Sequence, residues 1–198
     1  MQENSQETHR RLAQAAENLQ EALVQTTGRA LFVSPDFPNG PLIAGRFEVR
    51  TSRGEVKRLE QVTLPLPPPL YELAKTAGLP SEIVRIDTKS WGRIALWPLK
   101  CLIELQVGHR WHGFRGKIIP EWDADLVVFA ERGTSALCLR LSEEDGPVWE
   151  CPDSLESGLI GAQKLLPLAP SLGDFLQELS QELAQGAPVM LLPADEMA

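Results

Sequence analysis

Residues 122–151, WDADLVVFAERGTSALCLRLSEEDGPVWEC, and residues 171–186, SLGDFLQELSQELAQG, decide the fold. The first stretch opens on an apolar run from Leu126 to Ala130, turns at Gly133, and alternates apolar residues at Leu137, Leu139 and Leu141. A run bounded by turn residues and a period of two are both strand signatures. After Gly146, Pro147-Val148-Trp149-Glu150 reads as a third short strand. The second stretch spaces Leu172, Phe175, Leu176, Leu179 and Leu183 by three and four residues, which lines one side of a helix. Ser171 can cap that helix with Asp174 three residues on, and Gly186 can end it. A sheet backed by an amphipathic helix is the expectation.

Upstream, Leu12, Ala16, Leu19 and Leu23 form one apolar stripe on a helix predicted over 7–26, with Gly28 as its stop. A short apolar run at 30–33 precedes a loop rich in proline and glycine. Segments 46–52 and 55–63 flank Arg53-Gly54 and read as a hairpin. Arg50, Arg53, Lys57 and Arg58 crowd its tip, where a solvated edge is a better reading than a nucleic-acid patch. Pro65, Pro67, Pro68 and Pro69 favour polyproline II, yet Leu70, Leu73, Ala74 and Ala77 follow at helical spacing, so they read as a stiff lead-in to a short helix. Short strands are predicted at 83–86, 93–97 and 102–107, and the frequent Gly and Pro between them argue for an antiparallel meander. The join near Leu64 divides the chain into an N-terminal helix-plus-hairpin extension, 1–62, and a main domain, 63–198.

Length and composition suit a packed globular chain: 198 residues, 43% hydrophobic and 23% charged. The polar residues 1–11 encode no secretory signal and no apolar run reaches membrane-spanning length, so the expectation is a cytoplasmic protein without a membrane partner. Cys101, Cys138 and Cys151 are odd in number and widely spaced, which suits reduced core thiols. Charge is divided unevenly. Residues 1–120 hold 16 Lys and Arg against 12 Asp and Glu, net +4, whereas 121–198 hold 3 against 15, net −12. That acidic half disfavours nucleic acid and is a candidate for meeting a basic protein; solubility alone is the plainer account of the same carboxylates.

Four constellations bear on chemistry. His109 and His112, with Cys101 upstream, come nearest to a metal site, but residues three apart on a strand point to opposite faces, so polar loop histidines and no metal are expected. Cys138 with a histidine would make a nucleophile and base, yet it lies in an apolar strand where a buried thiol is inert. Asp123 and Asp125 lie on one side of a strand, as either a cation site or the solvated entry to the Leu126 run. Among five tryptophans, Trp97 and Trp149 suit the core, while Trp111, set between His109-Arg110 and His112, suits an interface. No phosphate-binding glycine loop or hydrolase motif is present, so no enzyme activity and no cofactor are expected.

The order of strand, glycine turn, strand, Gly146-Pro147-Val148-Trp149 and a helix bearing Phe175-Leu176 resembles the C-terminal half of the SMI1/KNR4 (SUKH) family. Pro69-Leu70-Tyr71 and Trp122 would match the family's leading helix and sheet tryptophan, while Arg140 stands where the family often has aspartate. The resemblance implies an α+β fold with a mostly antiparallel, highly curved sheet flanked by helices. It also implies a non-catalytic protein-binding role, most often that of a bacterial immunity protein that occludes a toxin, frequently a nuclease. On that reading Glu143, Glu144, Asp145, Glu150, Asp153 and Glu156 form a negative face for a basic toxin domain, with Trp111 or Trp149 as anchors. The alternatives are an adaptor that uses an exposed stripe on the first helix, and a small-molecule-binding or hydrolytic protein that uses His109, His112 and Asp123 in a deep pocket.

Overall fold

A computed structural model describes residues 2–37, 40–151 and 165–193. It is an α+β fold: helix α1 (Gln2–Thr27) comes first, and three antiparallel sheets follow. Strand β1 (Phe32–Val33) pairs with β4 (Leu79–Pro80), and β2 (Leu42–Arg50) pairs with β3 (Val56–Pro65) as a long two-stranded ribbon. Between them, Pro67 leads into α2 (Pro68–Thr76), as the proline run predicts.

The main sheet has seven strands: β5 (Ile83–Thr88), β6 (Gly92–Leu96), β7 (Leu126–Arg132), β8 (Ser135–Arg140), β9 (Val148–Cys151), β10 (Leu166–Ala169) and β11 (Val189–Leu192). Strands β5 to β10 lie side by side in chain order, the meander expected of short strands with close turns. The last strand departs from that order. After β10 the chain forms helix α4 (Leu172–Ala184) and returns to pair β11 with β5 at the opposite edge. The sheet is not closed.

Helix α4 starts where its cap chemistry dictates, with the Ser171 hydroxyl accepting from the Asp174 N–H at 3.1 Å. Leu172, Phe175, Leu176, Leu179 and Leu183 are all buried. Phe175 stacks on Trp91 at 5.2 Å and meets Phe129 edge-on at 5.8 Å. A bulge in β7 delivers Phe129 there: Val128 pairs with Cys138 and Ala130 with Leu137, so Phe129 is the extra residue. Helix α1 lies along α4, its Leu12, Ala16, Leu19 and Leu23 stripe buried and Asn18 hydrogen-bonded to Gln177 at 2.9 Å. The buried cluster runs from Leu12 to Ala187 and takes in Phe47 and Val49 of the ribbon, so residues 1–62 and the remainder share one core.

One predicted strand is a helix. Residues 102–107 form α3 (Leu102–Leu105) and its C-cap, after a 3-10 turn at Leu99–Cys101. A short apolar run carries no period long enough to separate strand from helix, and the tertiary setting decides. Here β6 ends at Leu96, opposite Ala130, and continuing that register would set Pro98, which has no N–H, against Val128. Gln106 takes that place instead. It is fully buried, its amide nitrogen donates to the Val128 and Leu102 carbonyls at 2.7 and 2.8 Å, and its oxygen accepts from the Val128 N–H at 3.1 Å. The helical turn is what brings Gln106 to the open edge of β7.

The last turn of α4 also holds the β5–β6 turn. Glu182, buried, accepts from the Lys89 and Ser90 N–H groups at 3.0 Å each and from the Ser90 hydroxyl. Hydrogen bonds from the Lys89 backbone and then the Ser90 side chain hold its carboxyl below the ordinary value. Cys101, Cys138 and Cys151 are all buried, and burial pushes the Cys138 thiol well above its usual range. Among the described residues no helix is long and apolar enough to cross a membrane.

Candidate functional site

The turn from β8 to β9 carries Glu143, Glu144 and Asp145, and the fold treats the three differently. Glu143 is half-buried, with Oε1 at 3.8 Å from Arg140 Nε and Oε2 enclosed without a hydrogen-bond donor. Glu144 and Asp145 are exposed, and Asp145 accepts from the Thr8 hydroxyl of α1 at 3.2 Å. That contact brings the turn against the start of α1, where the N-terminus of α4 also lies. The three elements enclose a cleft of about 400 Å³ lined by Thr8, His9, Arg11, Glu144, Asp145, Asp174 and Gln177 among others. Asp174, read from the sequence only as a capping residue, is the third carboxylate of the cleft. None of the three makes an ion pair among the described residues, and Arg11 is engaged by Glu7 at 3.1 Å.

Other expected members of the acidic face are placed differently. Glu150 is only 9% exposed and bonds to Arg132 Nη1 at 2.7 Å, with Arg132 reaching across β8 while its Nε donates to the Trp91 carbonyl at 2.6 Å. It is a neutralised group inside the sheet and contributes no exposed charge. Asp153 and Glu156 lie outside the described residues. Trp111 is 5% exposed and stacked on Phe47 of β2, at 5.3 Å and 7° between planes. It is a core residue that fastens the ribbon to the rest of the fold, and it presents no anchor to a partner. Trp149 is half-buried, with the Arg140 guanidinium 6.0 Å from its ring and its indole N–H enclosed without an acceptor.

Asp123 and Asp125 lie in the turn before β7 rather than on a strand, with the Asp125 N–H donating to Asp123 Oδ1 at 3.0 Å, and the cation they hold is Arg140, at 3.0 and 3.1 Å. Partial burial works to raise the Asp125 carboxyl, but hydrogen bonds from Ser142 and Arg140 outweigh it and hold the group below its ordinary value. The arginine found where the resembled family often has aspartate is therefore the hub of a local carboxylate cluster. His109 tilts against Trp122 at 5.1 Å, and His112 packs edge-on to Phe114 while its Nδ1 accepts from the Phe114 N–H at 3.3 Å. The cavities described here are lined by neither histidine nor by Asp123. Among the described residues no three His, Cys, Asp or Glu side chains are grouped to hold a metal ion.

Compared with family models, curated proteins and solved structures, the chain matches none. The SUKH-like reading rests on the order of strands, turns and helix in the sequence.

Proposed function

We propose that this protein is a non-catalytic binding module that docks a basic protein, in the manner of an immunity protein that occludes a cationic toxin domain. The observation that carries this reading is the cleft between α1, α4 and the β8–β9 turn. Glu144, Asp145 and Asp174 converge there without an ion-pair partner among the described residues. Carboxylates gathered at a low-dielectric cleft focus their field, which speeds encounter with a cation and selects against acidic partners. The half of the chain that supplies them carries a net charge of −12. The adaptor alternative lacks its surface, because the α1 stripe that it needs is buried against α4.

The test begins with partners recovered by the tagged protein from its native cells and with the products of neighbouring genes. A basic partner is expected. Its association rate with the triple variant Glu144→Gln, Asp145→Asn, Asp174→Asn should fall about tenfold at low salt and converge with wild type at high salt. An acidic partner, or a rate and salt dependence unchanged by the triple variant, would refute the reading.

A further inference from the structure

A second concave surface, with no lining residue in common with the acidic cleft, lies beside the β2–β3 ribbon. It is a groove of about 600 Å³, the larger of the two clefts, lined on one side by Leu42 to Arg46 of β2 and on the other by Leu79, Pro80 and Leu99. Ile103 of α3 enters its base beneath Gly45, where a Cβ would lie 2.5 Å from Ile103 Cδ1. Only a residue without a side chain lets α3 come this close to the strand.

Among the described residues, the backbone of β2 along this groove has hydrogen-bonding groups without a backbone partner, and the register shows which. The Leu66 N–H donates to the Pro41 carbonyl at 2.8 Å, so Pro41 and Leu66 are a hydrogen-bonded pair. In an antiparallel ladder such pairs alternate. Ile43, Gly45, Phe47 and Val49 therefore bond to β3, while Leu42, Ala44, Arg46 and Glu48 turn their N–H and C=O groups outward. Two neighbouring bonds agree with this parity: the Leu42 N–H goes to Gly40 at 2.8 Å, and the Arg50 N–H goes to Gly113 at 3.0 Å. Ala44 and Arg46 have no such partner among the described residues. Among the described residues, the groove thus presents a stretch of strand edge without backbone partners, facing Leu79, Pro80 and Leu99.

We propose that this groove binds an extended peptide from a partner protein by adding it as a third strand to the ribbon, antiparallel or parallel to β2. The outward N–H and C=O groups of Ala44 and Arg46 recognise a peptide backbone, and the wall of Leu79, Pro80 and Leu99 takes alternate apolar side chains. Charge defines the partner further. Arg46 is exposed and forms no ion pair among the described residues, Asp36 of the groove lining included. The peptide is therefore apolar at alternate positions and carries a carboxylate. Its chemistry is opposite to that of the basic partner proposed for the acidic cleft.

The probe is a random dodecapeptide phage library panned on wild-type protein, with Ala44→Pro used for counter-selection. Proline at Ala44 removes only the outward N–H and leaves the β3 ladder intact. Enriched peptides should alternate apolar residues and include Asp or Glu. As synthetic peptides they should bind Ala44→Pro and Arg46→Glu about tenfold more weakly than wild type, and alternate backbone N-methylation should weaken them at least as much. Equal binding of the N-methylated peptides, or failure to enrich any peptide that distinguishes wild type from Ala44→Pro, would overturn the proposal. If Ala44→Pro does not fold, Arg46→Glu and N-methylation carry the same decision. A wild-type dimer in sedimentation that Arg46→Glu dissociates would mean that a second copy fills the groove, which also overturns it.

Discussion

Replacing Gln106 by leucine removes one side chain and strands three backbone groups. In the native fold its amide satisfies both polar groups of Val128 and the Leu102 carbonyl, all within a fully buried site. Leucine matches the volume closely but offers neither donor nor acceptor in so enclosed a place. A buried group left unpaired costs about 1–3 kcal/mol. With relaxation at one of the three, the sum is about 2–6 kcal/mol, a large share of the roughly 5–15 kcal/mol that stabilises a typical domain. Urea unfolding followed by tryptophan fluorescence should show the loss as a lower midpoint at unchanged slope. Amide exchange adds a local readout: the Val128 N–H should lose protection in Gln106→Leu well before that of Leu139 on β8. A loss below about 1 kcal/mol, with Val128 still protected, would refute the argument that Gln106 stands in for a missing strand residue.

Three further outcomes are expected. Glu182→Gln should flatten the acid side of a melting-temperature profile; the native carboxyl titrates below its unfolded value, so its stabilisation is present above that value, roughly pH 4.3, and lost as pH falls through the native one. Parallel profiles for wild type and variant between pH 7 and 3 would contradict this. Phe175→Ala should cost about 3–5 kcal/mol, since the ring is fully buried between Trp91 and Phe129, and Phe175→Asp should prevent folding altogether; a cooperative melt of Phe175→Asp would speak against the packing. Gly78→Ala should destabilise by more than about 1 kcal/mol, because Gly78 has a φ of +88° and an added Cβ would lie 2.5 Å from the Val33 carbonyl oxygen; calorimetry showing an unchanged melting point would dispose of it.

The elements legible in the sequence are those whose own residues carry a full period. The α1 stripe, the α4 stripe with its Ser171 cap, and the β7 to β9 run all stand where the pattern puts them. Strands β10 and β11 have four residues each, too few to show alternation, and form because β9 and β5 offer them edges. Residues 102–107 were ambiguous for a related reason, and the need to deliver Gln106 to Val128 resolves them as a helical turn. The site was harder to read because neutralisation is a long-range property. Arg132 quenches Glu150 from two strands away, and the partner that buries Trp111 is Phe47, far upstream. The polar neighbours of Trp111 suggest exposure that its ring does not have. Conversely, Asp174 faces the same cleft as Glu144 only because α4 begins beside the β8–β9 turn.

Helix α4 joins the two outermost strands of the main sheet and also supplies the surface on which α1 rests. A nascent chain halted before Leu172 would therefore display two unfinished surfaces at once: the open side of β5, with Ile83, Val84 and Ile86, and the greasy flank of the first helix. Both stay exposed until α4 and β11 have emerged to cover them. Such a chain depends on delayed, all-at-once closure, and a holding chaperone that shields the early segments during translation would raise its yield.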